Sequence, residues 1–318
     1  MKENYKNPMV SIIIPTYKRE TLIKKAIENL KKQTYKNLEI IVVNDNGIEN
    51  NNCKERTYLE IKSYLDKKEI VYIELENNLG GALARNKGIE IAKGKYISFF
   101  DDDDEYHPDK IKLQVENFEK IQDNNIAFIK SEMDLKLDGK IISTTKTKKY
   151  FEGNLLKNHI LNLHGIVGTI SFLFRTDVLK EVNGFSKVSI RQEYMLILKI
   201  LLKGYKGIHL DKNLVTLNCT GESITRTKNE KKVKCMEKVL TTRLTCTKLT
   251  KKEKKFILKN HYLDLAEWYC FYKKTKCLKY SFLGFQLNKN IIISLFKINL
   301  KNIFQNYYLR LRKLKKGY

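Results

Sequence analysis

The sequence predicts an α/β fold: a mostly parallel sheet with flanking helices, followed from residue 226 by a smaller, basic and mainly helical region. Three observations predict it. Short runs of β-branched and aromatic residues alternate with helical stretches from the start of the chain, the order that builds parallel strands joined by crossover helices. The residues that follow each run are the chemically unusual ones, as expected where such a sheet collects its ligand beyond the carboxyl ends of its strands. Charge then changes character: about +20 of the net +25 lies from Arg226 onward, where 25 Lys and Arg face 5 Asp and Glu.

In chain order, 10–14, 38–43, 70–74 and 96–100 read as strands, and 20–33, 54–65 and 82–92 between them as helices. Pro108 opens a further helix to about 123, because its missing N–H costs nothing in a first turn. A strand follows at 126–130. Asp138-Gly139 lies between the apolar-alternating stretches 133–137 and 140–143, the signal for a two-residue hairpin turn. Residues 151–168 show no clear period. Beyond them come a strand at 169–174, helices at 177–182 and 192–203, and short strands at 207–210 and 214–218.

With 318 residues, 42% of them hydrophobic, the chain can bury one sizeable core and carry a second unit, divided here as 1–225 and 226–318. The polar start and the short apolar run ending at Pro15 do not read as a secretory leader. No stretch of about 18 apolar residues occurs, so nothing is expected to span a bilayer. The six cysteines form no C-x-x-C pair and follow no metal-ligand spacing, which fits reduced thiols in a cytoplasmic protein. Walker A and G-x-G-x-x-G sequences are absent, which removes the usual kinase, ATPase and dinucleotide-binding readings. The basic last third favours an anionic partner, whether membrane phospholipid, nucleic acid or acidic glycan; a solvated helical face is the plainer alternative.

Asp101-Asp102-Asp103-Asp104 stands directly after the apolar run 96–100. Four adjacent carboxylates repel one another and stay ionised only beside a cation or many donors, and Mg2+ or Mn2+ is the simplest compensation. A solvated acidic loop is the other reading. Asp45 follows the second run and could accept from a base or ribose, although Asp is also a common turn residue. Pro15-Thr16-Tyr17 ends the first run, where Tyr17 could stack on a base. Asn77-Asn78-Leu79-Gly80-Gly81 leads into a helix bearing Arg85, so backbone N–H groups and a guanidinium are available to a phosphate. Glu193 opens the helix at 192–203, where an acidic side chain also simply suits the helix dipole. His159 and His164 lie in the irregular segment and could meet sugar hydroxyls; solvation or local hydrogen bonding is the plainer reading of a loop His.

Four phrases, Val10 to Tyr17, Glu39 to Asp45, Asn77 to Asn86 and Tyr96 to Asp104, together resemble the family 2 glycosyltransferases, whose nucleotide-binding half has the GT-A fold. The resemblance covers about 9–225 and is strongest over the first 110 residues. It implies that Pro15, Thr16, Tyr17, Asp45 and Arg85 line a nucleotide pocket. Asp101 and Asp103 would form a D-x-D motif that holds a donor diphosphate through Mn2+ or Mg2+, with Asp103 the direct metal ligand and Asp102 near the ribose. Arg191-Gln192-Glu193-Tyr194 resembles the family's acidic motif and makes Glu193 the catalytic base, one methylene longer than the commoner Asp. Thr220 stands where the family often has a His, which weakens the case for a metal.

The resemblance further implies inverting transfer of a hexosyl or N-acetylhexosaminyl group from a UDP-sugar to a hydroxyl of a glycan or lipid-linked glycan, in the synthesis of cell-surface polysaccharide, capsule or lipooligosaccharide. Residues 291–316 mix apolar residues with Lys and Arg and could lie on anionic lipid, peripheral to the inner face of the membrane. A nucleotidyltransferase and a nucleic-acid-binding protein driven by the basic region are the competing readings. No nucleic-acid motif supports the latter.

Overall fold

The computed structural model describes residues 7–121, 123–162, 168–219, 230–269 and 274–287, with the backbone alone at 274–275 and 284–287. The chain divides into two units, Met1–Ser223 and Ile224–Tyr318. Thr220, the stretch 221–224, His164 and the segment 291–316 lie outside the described residues.

The first unit begins with strand β1 (Val10–Thr16), helix α1 (Glu20–Lys31), β2 (Leu38–Asn44), α2 (Asn51–Asp66), β3 (Val71–Glu74), α3 (Gly81–Ile91) and β4 (Tyr96–Phe99). The strands lie in the order β3-β2-β1-β4, all parallel. Alternation along β1 divides its side chains between two layers. Val10, Ile12 and Ile14 pack with Ile23, Ala26, Ile27 and Leu30 of α1, whose spacing of three and four makes one apolar stripe. Ile13 packs on the other face with Ala84 and Ile89 of α3. Burial on both faces explains the near-continuous apolar runs, and each buried Ile contributes about 1.5–3 kcal/mol. Gly88 permits the close approach of α3: a Cβ there would stand 2.5 Å from Ile13 Cγ2.

Beyond β4 the sheet becomes mixed. The elements are β5 (Glu105–Tyr106), α4 (Lys110–Lys120), β6 (Ile126–Leu137), β7 (Lys140–Thr144), α5 (Leu155–Leu161), β8 (Phe172–Arg175), α6 (Thr176–Glu181), α7 (Gln192–Leu202) and β9 (Lys206–Asn218). The sheet order continues β4-β8-β6-β9-β5, with β7 on β6. β8 runs antiparallel to β4 and β6, whereas β9 runs parallel to β6. The two strands expected at 126–130 and 133–137 form one, as do those at 207–210 and 214–218, because β6 and β9 pair throughout and absorb the irregularity in register shifts near Ser131 to Met133. Asp138 and Gly139, with φ of 50° and 81°, form the expected hairpin turn; positive φ at both central positions suits Asp-Gly.

Three local differences remain. The segment 151–168 contains α5, capped by the Asn154 side chain accepting from the Lys157 N–H at 2.9 Å. Residues Thr169–Ser171 form a single 3-10 turn ahead of β8. β5 has two residues, too few for any period to register.

The second unit contains α8 (Glu230–Thr245), α9 (Lys251–Tyr269) and α10 (Lys274–Leu287). Val233, Met236, Val239, Ile257, Leu265 and Ala266 are buried there, and the rings of Tyr269 and Tyr280 stack at 5.4 Å. Among the described residues no helix is long and apolar enough to cross a membrane.

Candidate functional site

Parallel register brings the ends of β1, β2 and β4 to one edge: Thr16 pairs with Asn44, and Ile13 with Phe99. Pro15, Thr16, Tyr17, Asp45 and the four aspartates therefore emerge together. Thr16 is tied into the cluster, its Oγ1 donating to Asp102 Oδ2 at 2.8 Å. Tyr17 is half-buried, with Lys18 Nζ 5.3 Å from its ring centroid. Asp45 accepts from the N–H groups of Leu79 at 2.7 Å and Gly80 at 2.9 Å and from Asn78 Nδ2 at 3.1 Å. Its carboxylate thus shapes the loop before α3. Burial lifts its pKa, and the Leu79 and Gly80 amides oppose that rise.

Burial alternates along the acidic run. Asp102 and Asp104 point inward, while Asp101 and Asp103 are half-buried toward the rim. The Asp104 N–H donates to the Asp101 carbonyl at 3.0 Å and closes a tight turn. Arg85 Nη2 meets Asp101 Oδ1 at 2.5 Å, and its Nη1 donates to Gln192 Oε1 at 2.9 Å. Arg85 Nε is buried without a partner among the described residues. Arg19 Nη1 bridges Asp102 Oδ1 at 2.9 Å and Asp103 Oδ2 at 2.7 Å. Asn218 at the end of β9 closes the far side, its N–H donating to Asp104 Oδ1 at 2.9 Å and its Nδ2 to the Asp103 carbonyl at 2.8 Å.

Two guanidiniums therefore meet three of the four carboxylates, and among the described residues the Asp104 carboxylate has only the Asn218 N–H. Burial pushes the Asp102 carboxyl up to about 6 against the hydrogen bonds from Arg19 and Thr16. Burial and then the charges of Asp101 and Asp103 push Asp104 well above the usual carboxylate range. The cluster is short of positive charge, and its all-oxygen donor set suits a hard dication. Among the described residues no three acidic, His or Cys side chains converge as a metal cage; Asp101 and Asp103 face their arginines instead. These residues fit a cation held by one or two carboxylates, with its shell completed by phosphate oxygens and water.

Glu193 stands in the first turn of α7, after Arg191 in the left-handed region at φ 59°, a conformation costing a non-glycine residue about 1 kcal/mol. Burial raises the Glu193 pKa; its own amide, Arg191 and Arg85 oppose this, and Asp101 adds to it. Arg85 thus joins the acidic run to the helix of Glu193 through Asp101 and Gln192. Asn86 braces the approach, exchanging hydrogen bonds with the Phe185 backbone at 2.9 and 2.7 Å.

For His159 the structure bears out the plainer reading, local hydrogen bonding, over contact with a sugar. The residue is fully buried, Nε2 donates to the Tyr194 carbonyl at 2.8 Å, and Nδ1 is bonded to the Tyr150 hydroxyl. Its ring stacks on Tyr194 at 4.1 Å, which anchors the first turn of α7. Arg19 and Asn218 are contributors that the sequence reading missed. The signal for Arg19 was a cation just after the Pro15-Thr16-Tyr17 turn; Asn218, 114 residues from Asp104, gave none. A cleft of about 510 Å³ between Tyr96, Phe118 and Arg175 lies at the opposite end of β4 and is separate from this cluster.

A family model described as Glycosyl transferase family 2 matches residues 11–182. The amylovoran biosynthesis glycosyltransferase AmsB of Erwinia amylovora is 27% identical over 200 residues, 62% of this chain and 65% of that protein. A glycosyltransferase of Rickettsia prowazekii is 42% identical over 126 residues, 40% of this chain and 37% of its own length. The match thus spans less than two thirds of these relatives. Among solved structures, Staphylococcus aureus TarS in complex with UDP-GlcNAc has a TM-score of 0.65 at 18% identity, covering 88% of this chain and 81% of that one. The mannosyltransferase PcManGT from Pyrobaculum calidifontis, in complex with GDP-Man and Mn2+, has a TM-score of 0.60 at 16% identity, covering 98% and 88%. The likeness to both is one of fold, and that fold is GT-A-like.

Proposed function

The chain belongs to glycosyl transferase family 2, and from that premise we propose that it moves a sugar from a nucleoside diphosphate sugar, a UDP-sugar, to a hydroxyl of a glycan or lipid-linked glycan acceptor. The observation that carries this reading is the Asp101–Arg85–Gln192 chain, which links the acidic run to the helix of Glu193. A donor-binding group and a proton acceptor thereby belong to one rigid constellation. The first unit is the catalytic part, and the product is a cell-surface polysaccharide, in keeping with the relative named for amylovoran biosynthesis. A UDP donor is supported by the complex named for TarS. The basic region and the absence of a crossing helix among the described residues accord with work at the inner face of a membrane.

In this reading Tyr17 stacks on the base, while Pro15, Thr16 and Asp45 form the pocket floor. Arg85 holds the diphosphate through a charge-assisted hydrogen bond. Glu193, its pKa raised by burial, takes the acceptor hydroxyl proton as the oxygen attacks the anomeric carbon from the face opposite the diphosphate, with inversion. Asp103 and Asp101 are the residues that would hold a divalent cation, whose chemistry when bound is Lewis-acid stabilisation of the departing diphosphate. Asp102, tied to Arg19 and Thr16, keeps the loop in place. Neither competing reading, nucleotidyl transfer or nucleic-acid binding, accounts for Glu193 beside this cluster.

Calorimetric titration of UDP, GDP, CDP and dTDP, with and without Mn2+, into wild type and Asp103→Ala tests the proposal. Metal-dependent binding of UDP that the variant loses is the expected result. No nucleotide binding under any condition would overturn it.

A further inference from the structure

The β6–β7 hairpin carries charge and apolar surface that the proposed chemistry does not use. Ile141 and Ile142 are 62% and 56% exposed. Lys136 pairs with Ile141 and Leu135 with Ser143, so Ile142 is the extra residue of a bulge. A bulge breaks the alternation that sends neighbouring side chains to opposite faces and re-aims them at the sheet rim. Lys140 precedes the pair and Lys146, Lys148 and Lys149 follow it along the chain, all exposed, and Asp138 is the single acid between 136 and 149. Lys136 is already paired with Glu105 at 3.5 Å. The hairpin springs from the edge that bears the carboxylates: Lys136 is the register partner of Asn218, whose Nδ2 donates to the Asp103 carbonyl at 2.8 Å.

A soluble polyanion would use the lysines and leave both isoleucines in water. At a bilayer the isoleucines enter the boundary between headgroups and acyl chains while the lysines extend to the phosphates. We propose that this hairpin is an interfacial membrane contact, separate from the basic 226–318 region, that docks the first unit on an anionic lipid surface. That it thereby presents the site to a lipid-linked acceptor rests on the function proposed above; the docking itself does not.

Amide exchange of the full chain at low salt tests it, with phosphatidylcholine vesicles with and without phosphatidylglycerol. Exchange at 139–149 is expected to slow with the anionic vesicles alone. Ile141→Ser with Ile142→Ser should remove that protection and lower vesicle partitioning about tenfold. Changing the four exposed lysines to Gln should lower it by at least about tenfold. Thermal melts matching wild type would show both variants folded. Unchanged exchange at 139–149 while vesicles are bound elsewhere would overturn the proposal. So would protection that grows with protein concentration without vesicles, which means β7 edges pairing between two copies. Protection by soluble polyphosphate that survives the serine changes would do the same. UDP titration of the same samples reports on the transferase reading independently: lost UDP binding with a protected hairpin fails that reading alone.

Discussion

In the parallel half of the sheet, β3-β2-β1-β4, the interior is built from residues such as Ile12, Ile13, Ile41 and Val43, and carboxylates gather at the strand ends. In the mixed half ionisable side chains go inside. Lys110 is fully buried, its Nζ donating to Ser98 Oγ and Gln114 Oε1, both at 2.9 Å, and standing 4.1 Å from the Tyr106 ring centroid. Glu132 accepts from Thr145 Oγ1, the Thr147 N–H and His209 Nε2, with Lys130 Nζ at 3.8 Å. Interior ionisable groups are surrounded by hydrogen-bond partners, and burial lowers the Lys110 pKa well below its usual value, whereas edge charge is left in deficit. A buried ionic group with its partners in place serves the fold, and a crowd of carboxylates short of cations is an arrangement awaiting a ligand.

The largest expected effects separate these roles. Asp103→Asn should lower kcat/KM about a thousandfold while leaving the melting temperature of the metal-free protein unchanged or higher, because it removes one repelling charge. An equal loss of stability would break the contrast. Glu193→Gln should cost about 10²–10⁴-fold in kcat with UDP affinity retained, as single-turnover assays and calorimetry would report. In the mixed half the loss should appear in folding. Glu132→Gln leaves Lys130 short of its counter-charge and is expected to lower the unfolding free energy by about 3 kcal/mol in urea titrations. Lys110→Met, which keeps length but drops the donors, should cost about 1–3 kcal/mol.

The smallest effect is also the sharpest, since the two halves should respond to pH with opposite sign. Asp102 titrates near 6 in the folded protein against about 4 unfolded. The folded state therefore binds its proton more tightly, so the contribution is full below about pH 4 and is lost as pH rises through about 6. For Glu132, burial would raise the pKa, but Thr145, Thr147, Lys130 and His209 outweigh it and hold the carboxyl down to about 2. Its contribution is present above about pH 4 and is lost as pH falls through about 2. Melting curves of the metal-free protein should show a weaker 4-to-6 dependence in Asp102→Asn, the remainder coming from Asp104, and keep all of it in Glu132→Gln.

Much of the edge was legible. An acidic run directly after a buried strand, and a glycine turn leading to Arg85, are local patterns whose consequences appear within a few residues. Partners were not. Arg19 lies 83 residues from Asp102; its place after the Pro15-Thr16-Tyr17 turn marks a cation near the edge but does not say which carboxylates it holds. His159 looked like a loop residue because α5 is a short helix within a stretch without a clear period, and its burial depends on Tyr194, 35 residues away. The burial of Lys110 and Lys130 has no local signal, since an unpaired lysine is seldom buried.

By itself the sequence determined the order of strands and helices in the parallel half, the burial of β1, β2 and β4 within it, the Asp138-Gly139 turn and the place of the acidic run. These follow from periodicity and backbone preference, which act over a few residues. Only the tertiary structure decided that β8 turns the sheet antiparallel, that Arg85 joins Asp101 to Gln192, that Asn218 closes the acidic turn, and which charges are enclosed. Hydrogen bonds and ion pairs require contact within about 3 Å, and which distant segments meet at that range is settled by close packing of the whole unit.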